Sequence, residues 1–164
     1  MSLAARMMRI HATFATAPQL QRADMHEAAK AGYALILNAR PDGEEDPEDQ
    51  PLSVDLARAA KAAGLAYAHV PIASGAAFPA RALQDAGNAL AAADGPVLGF
   101  CLTGMRSLRL WALATALSGR MSPGELIAST AAAGLSLENF REHLERLARG
   151  EPPLYVADVA AMMI

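Results

Sequence analysis

The sequence predicts an α/β domain with a mainly parallel sheet of four to five strands flanked by helices. Short apolar runs of strand length alternate along the chain with alanine-rich stretches of helix length, which is the pattern of βαβ units. The 164 residues are 53% hydrophobic and 19% charged, enough apolar material to form a core and too much for a disordered chain. Aromatic residues make up only 5%, which favours closely packed helices over a β-sandwich.

The amino-terminal half is predicted from its turn residues and apolar runs. Gly32 and Gly64 are placed to end helices, and Pro41-Asp42-Gly43 is strong turn chemistry. The elements predicted are a strand at 10–15, a helix at 21–31, a strand at 33–38, a helix at 54–63 and a strand at 65–72.

The segment at 44–51 is acidic and punctuated by prolines. Repelling carboxylates on such a loop do not form an ordered cation cage. We therefore predict a solvated, mobile surface segment here. Ser53 follows it as the N-cap of the next helix.

The carboxyl-terminal half is predicted to hold one further strand among four helices. These elements are a helix at 79–93, a strand beginning at 97, a helix reaching 117, a helix at 123–133 capped by Ser122, and a last helix starting at 136. Leu137, Phe140, Leu144 and Leu147 form an apolar stripe that we assign to the core. We predict one domain over 9–150, and the tail at 151–164 is left unassigned, either packing on the domain or joining a second copy in a homo-oligomer.

Composition excludes several classes of function. The net charge of −3 gives no support for a nucleic-acid or anionic-membrane partner. A single cysteine forms no intramolecular disulfide, and no run approaches the ~18–20 apolar residues of a membrane helix. We expect a cytoplasmic protein without cofactor or metal, because the four histidines are scattered without ligand spacing. They are His11, His26, His69 and His143.

The stretch 97–107 organises the function prediction. Cys101 stands between a buried strand and a helix, where backbone N–H groups and the helix dipole favour an anion and hence the nucleophilic thiolate. Arg106 adds a planar cation suited to an oxyanion, and Ser107 is expected to donate its hydroxyl to the thiolate. These three are the predicted catalytic residues. Gly104 permits the tight turn.

Further residues are predicted to contact the substrate. In parallel sheets the site lies at the carboxyl ends of the strands, which brings the loops after neighbouring strands to the cysteine. The predicted substrate-binding residues are Leu102, Thr103, Gly104, Met105, Arg40 and Asp42. Asp42 also has a simpler role as a turn residue, which the sequence favours.

Several segments resemble the bacterial beta-lactamase hydrolase-like family, over about residues 9–119. The matching segments are Gln19-Leu20, Ala31-Gly32-Tyr33, the block Ile36 to Glu44, the run Gly64 to Pro71, and Cys101-x-x-Gly104-x-Arg106-Ser107. The resemblance implies a fold like that of tyrosine and dual-specificity phosphatases, and activity as a sulfur transferase or phosphatase. It also links the chain to sulfide detoxification and implies a persulfide dioxygenase as partner. The family loop usually reads Cys-Arg-Ser-Gly-Thr-Arg-Ser, whereas Leu102 here replaces its first arginine and weakens the positive field.

The loop spacing favours sulfur transfer as the predicted function. Four residues separate Cys101 from Arg106, one fewer than in the loop of tyrosine phosphatases, and this spacing resembles the loop of single-domain rhodanese-type sulfurtransferases. In this hypothesis Cys101 takes a sulfane sulfur from a small-molecule donor as a persulfide and passes it to a thiol acceptor. Arg106 and the loop N–H groups stabilise the anion.

Two alternatives remain open at this point. In a phosphatase, Cys101 forms a phosphocysteine and Arg106 clamps the phosphoryl oxygens, but an acid must protonate the leaving oxygen. The loop after the strand at 65–72 offers no carboxylate, and Asp42 is the one candidate from the adjacent loop. A third reading is a non-catalytic module that senses reactive sulfur or docks on a partner.

Overall fold

The five strands form a single sheet, which confirms the predicted fold class. The structure is a computed structural model that describes residues 1–154. The strands are β1 (Met8–His11), β2 (Phe14–Ala17), β3 (Leu35–Asn38), β4 (Ala66–His69) and β5 (Val97–Phe100). Their order across the sheet is β1-β2-β5-β3-β4, with β1 antiparallel to β2 and every other pair parallel. The last strand in sequence therefore lies in the middle.

Seven α-helices surround the sheet in the described chain. They are α1 (Leu3–Arg6), α2 (Arg22–Lys30), α3 (Ser53–Ala62), α4 (Ala80–Ala92), α5 (Met105–Ser118), α6 (Pro123–Ala132) and α7 (Arg141–Ala148). A 3₁₀ turn at Glu138–Phe140 precedes α7. The predicted N-cap of α6 is confirmed, because the Ser122 side chain accepts from the Glu125 N–H in a capping box.

Each face of the sheet carries its own core, because successive side chains of a strand point to opposite sides. In β3, Leu35 and Leu37 pack with α4 to α7, whereas Ile36 packs on the other face with α2 and α3. β5 is buried on both faces, which explains its continuous apolar run. The predicted core stripe Leu137, Phe140, Leu144 and Leu147 is confirmed, since all four are buried.

Three local predictions were wrong. The strand predicted at 10–15 is instead two strands, because the chain reverses at 12–13 and pairs His11 with Phe14. The strand predicted at 65–72 ends at His69, and the chain beyond it bonds only through Val70 and Ile72 to the carbonyls of Asn38 and Ala39. Ser53 is the first residue of α3 and not its N-cap.

The carboxyl-terminal tail was left without a predicted structure. Glu151–Leu154 adopt no helix or strand, and 155–164 lie outside the described residues, so its predicted packing or oligomer role stays untested. Within residues 1–154, no helix has both the length and the apolar character needed to cross a membrane.

Candidate active site

Cys101 is the first residue after the central strand, and its sulfur faces the start of α5. The side chain is 1% exposed, and its Sγ accepts a hydrogen bond from the Gly104 N–H at 3.1 Å. The loop is pinned on both sides, because the Phe100 and Leu102 carbonyls accept from Ala39 and Gln19 N–H groups. A helix N-terminus this close favours negative charge on the sulfur.

Gly104 makes the turn that brings the helix back over the cysteine. Its φ of 97° lies in the left-handed region, and a Cβ there would stand 3.0 Å from Thr16 Oγ1 and 3.1 Å from the Ala17 carbonyl oxygen. Only glycine meets both conditions without strain. The glycine therefore couples the loop to β2.

Ser107 locks this turn and does not serve the thiolate, which corrects the prediction. Its Oγ donates to the Gly104 carbonyl at 3.0 Å and lies 2.7 Å from Thr16 Oγ1, which itself donates to the same carbonyl at 2.6 Å. The side chain is fully buried. Among the described residues, no hydrogen bond joins Ser107 to the sulfur.

Arg106 is held rigidly beside the cysteine. Its Nη1 and Nη2 donate to the two carboxylate oxygens of Glu44 at 2.7 and 2.8 Å, and Nη1 also donates to the Ile72 carbonyl at 2.9 Å. The hydrogen bonds to Glu44 raise the pKa of Arg106, and the charge of the nearby Cys101 adds to this. Of the five N–H donors, Nε–H and one Nη2–H bind no oxygen atom in residues 1–154, and Cys101 is near enough to act on Arg106 as a hydrogen-bond acceptor as well as a charge. These two N–H groups lie on one side of the guanidinium and can donate together to two oxygens of one oxyanion. We call this pair of donors the side-on fork.

Glu44 is an anion over the whole physiological range. The hydrogen bonds from Arg106, and next those from Arg40, lower its pKa to about 2 against the opposing effect of burial. A carboxylate with that pKa orients a cation but does not donate a proton near neutral pH. Its role in the site is positioning.

Arg40 lies behind Glu44 and does not reach the substrate pocket, which corrects its predicted role. The side chain is 1% exposed, and three of its nitrogens donate to Glu44, Glu45 and Gln19 at 2.7, 2.9 and 2.9 Å. A buried guanidinium with carboxylates and an amide around it is well satisfied. Arg40 fixes Glu44 and thereby Arg106.

The acidic loop is held by hydrogen bonds at its base, and the mobility predicted over 44–51 stays a prediction. The buried Gln50 side chain donates to the Pro41 carbonyl at 2.6 Å and accepts from the Glu45 N–H at 2.9 Å. Residues 42–49 are all exposed, which confirms the predicted solvation of that part of the segment. The sequence did contain a sign of this ion pair, because Glu44 follows the oppositely charged Arg40 by four residues.

Asp42 has a structural partner, and its predicted contact with substrate stays a prediction. Its Oδ1 accepts a hydrogen bond from the Ser53 N–H at 2.8 Å and thus caps α3 from outside the helix. This leaves no carboxylate from the β3 loop positioned to give a proton to a leaving group at Cys101.

A shallow pocket of about 150 Å³ opens beside Arg106. The loop 72–78 forms one wall, and the predicted Leu102, Thr103 and Met105 line the other. Arg109 also lines it and was missed, although its position three residues after Arg106 on a helix is a signal that both share a face. No residue of this lining carries a carboxylate.

Two further observations concern the rest of the described chain. A larger cavity of about 430 Å³ is at the opposite end of the sheet, around Val97 and Trp111. Residues 1–154 hold no group of three or more histidine, cysteine, aspartate or glutamate side chains arranged to bind a metal ion.

Comparison with known sequences identifies relatives along most of the chain. The family described as "Beta-lactamase hydrolase-like protein, phosphatase-like domain" matches residues 6–118. A beta-lactamase hydrolase-like protein of Xylella fastidiosa strain 9a5c is 36% identical over 147 residues, which cover 90% of this chain and 33% of that protein. The chain thus spans about a third of the length of this relative.

Solved structures show the same architecture. A crystal structure of a proposed phosphatase from Neisseria meningitidis Z2491 has a TM-score of 0.67 and 32% identity, covering 85% of this chain and 96% of the other. Kinase associated phosphatase has a TM-score of 0.65 at 18% identity, covering 88% and 93%. This second likeness shows the fold alone, and with it the phosphatase-like character of the sheet and its helices.

Proposed function

The chain belongs to the family of beta-lactamase hydrolase-like proteins through its phosphatase-like domain, and on that premise we propose that it is a cysteine-dependent phosphatase. The observation that carries the proposal is the pairing of Cys101 with an arginine whose side-on fork is left open. Glu44 holds the other end of that guanidinium. This favours phosphoryl transfer over the sulfur transfer that the loop spacing alone predicts.

The proposed reaction has two steps at one sulfur. The Cys101 thiolate attacks the phosphorus of a phosphate monoester, the S–P bond forms, the ester P–O bond breaks, and the alcohol leaves as an oxyanion that takes a proton. Water then attacks the phosphocysteine, the S–P bond breaks, and inorganic phosphate and the thiolate are released. Arg106 and the loop N–H groups stabilise the equatorial oxygens in both steps.

The charges around the pocket point to a class of leaving group. Glu44 is ionised, Asp42 caps α3, and the pocket lining contributes no carboxylate. A substrate whose leaving oxygen is stable as an anion needs least help from an acid. Aryl phosphates are therefore favoured over alkyl phosphates.

Sulfur transfer is the second candidate. It is favoured by the absence of an acidic side chain from the lining of the 150 Å³ pocket. When Cys101 attacks the sulfane sulfur of a persulfide donor, a new S–S bond forms and the old one breaks. The departing thiolate, with a thiol pKa of ~8.5, needs no proton donor near neutral pH. An acceptor thiolate then removes the outer sulfur. In this case a persulfide dioxygenase remains a fitting partner, and a cytoplasmic location remains a prediction.

One experiment separates these candidates. Wild type, Cys101→Ser and Arg106→Lys are incubated with phenyl phosphate or with glutathione persulfide plus cyanide, and phosphate release, thiocyanate release and intact mass are measured. We expect phosphate release by the wild type, none by Cys101→Ser, and about 100-fold slower release by Arg106→Lys because lysine lacks the bidentate fork.

The contrary outcomes are equally definite. Thiocyanate release that requires Cys101, without phosphate release, overturns the phosphatase and establishes the sulfurtransferase. A one-sulfur adduct on Cys101 without turnover in either assay establishes a sensing module.

A further inference from the structure

Arg109 is a second cation in the substrate pocket that the proposed chemistry does not use. It follows Arg106 by three residues on α5, so both lie on one face of the helix, and both line the pocket. Its guanidinium carbon lies 5.1 Å from the centre of the Phe140 ring. The aromatic face holds the side chain in place from one side and leaves the other side to the pocket.

Unlike the other arginines of the site, Arg109 has no counter-charge. Arg40 and Arg106 each bind a carboxylate, whereas no carboxylate lies within 4.0 Å of Arg109 in residues 1–154. Its Nε is buried and has no hydrogen-bond partner in that range. Burial lowers the pKa of Arg109, and the nearby charge of Cys101 opposes that effect. A half-buried cation without an anion is costly, and a bound anion offsets that cost.

The pocket that both arginines line also has an apolar part. Leu102, Met105 and Phe78 line it together with small residues of the loop 72–76. At about 150 Å³ it has the volume of roughly five liquid water molecules, so it holds a compact part of a substrate such as a single ring or a short carbon chain. The second positive charge of the pocket is that of Arg109, about one helical turn after Arg106.

We propose that Arg109 is a subsite for a second anionic group of the substrate. Arg106 binds the group that is transferred, a small apolar or aromatic spacer lies against Leu102 and Met105, and Arg109 binds a carboxylate or second phosphate at the far end. The inference rests on the proposed function only in assigning Arg106 to the transferred group. It names the substrate class as a compact phosphate ester with two anionic ends.

The test is a binding comparison that needs no turnover. In the Cys101→Ser background, calorimetry gives the affinities of phenyl phosphate and 3-carboxyphenyl phosphate with Arg109, with Arg109→Gln and with Arg109→Lys. We expect the carboxylated ligand to bind about 10-fold tighter when Arg109 is present, which corresponds to about 1.4 kcal/mol. The ratio of the two affinities falls to about 1 in Arg109→Gln, and part of the preference is kept in Arg109→Lys. Arg120→Gln, at the exposed rim of the opposite cavity, is the matched control and keeps it.

Each result decides the proposal. If the protein that retains Arg109 binds the two ligands with equal affinity, the proposal is overturned, and this result does not require Arg109→Gln to fold. The proposal is also overturned if Arg109→Gln keeps the full preference for the carboxylated ligand. Parallel assays of phosphate release by the protein with Cys101 separate this from the proposed function. If phosphate is released but the carboxylated ligand binds no tighter, only the subsite proposal fails. If the carboxylated ligand binds tighter through Arg109 but no phosphate is released, the subsite proposal stands and the phosphatase proposal fails.

Discussion

Two loops approach Cys101 from neighbouring strands, and they are built in opposite ways. The loop after β3 brings Arg40 and Glu44 into a hydrogen-bonded ion network, whereas the loop after β4, at 70–79, holds uncharged residues and hydrogen-bonds to Arg106 through the Ile72 carbonyl. The first loop determines where the arginine points. The second lines the pocket and brings no proton donor. Positioning and proton supply, often found together in one site, are separated here.

The largest effect, a loss of stability, is expected when the buried arginine at the centre of the β3 loop is replaced. Arg40→Met leaves Glu44 and Glu45 without their buried partner, and we expect a loss of about 3–5 kcal/mol in the free energy of unfolding. Urea denaturation measures it. Arg81→Met is the control, because its pair with Asp85 is exposed and worth under about 0.5 kcal/mol. Equal losses in the two variants would show that the β3 loop is solvated.

Removing only the orienting charge should impair activity more than stability. In Glu44→Gln, Arg106 loses one of its two ionic hydrogen bonds and swings from the productive geometry, so we expect kcat/KM for phenyl phosphate to fall about 10- to 100-fold. Steady-state phosphate release measures it. Glu138→Gln, which breaks an exposed pair with Arg141, should leave it unchanged. Wild-type activity in Glu44→Gln would mean that the Ile72 carbonyl suffices to hold the arginine.

The same carboxylate makes stability depend on pH with a definite sign. The pKa of Glu44 is lowered from 4.5 to about 2 in the folded protein, so the unfolded chain takes up its proton first as acid is added. The stabilisation is therefore complete above pH 4.5 and is lost as the pH falls toward 2. Allowing for solvent screening, we expect about 1–2 kcal/mol. Urea midpoints of wild type and Glu44→Gln should converge over that window, and a constant difference would contradict the assignment.

The smallest effect should come from adding what the β4 loop lacks. Ser74 is exposed in the pocket wall, and Ser74→Asp places a carboxyl group near the leaving oxygen. Because the new acid is not held in place, we expect about 3- to 10-fold faster turnover of an alkyl phosphate relative to phenyl phosphate, well below the 10²–10⁴ of a positioned acid. Ser74→Asn is the control. An unchanged ratio would indicate that a proton already arrives by another route.

The sequence was most informative where local chemistry suffices. The strand–Cys101–Gly104–helix arrangement, the capping box at Ser122 and Glu125, and the apolar stripe from Leu137 to Leu147 each follow from spacing within a few residues. It was least informative on the side chains of the β3 loop. Arg40 and Asp42 carry the right chemistry for a site, yet Arg40 is bound by Glu44 of its own loop and Asp42 by the Ser53 N–H. Ser107 of α5 is likewise bound, to the Gly104 carbonyl.

The sequence by itself determined the fold class, the place of Cys101 at the end of a strand, and the loop that turns back over it. Periodicity, glycine and the helix start are local properties, and they act over a few residues. Only the tertiary structure decided that Glu44 holds Arg106, that Arg40 is buried behind it, and that Arg109 faces the pocket without a counter-charge. Those outcomes depend on which loops the parallel sheet brings side by side, since the partner that neutralises a charge is set by distance in space.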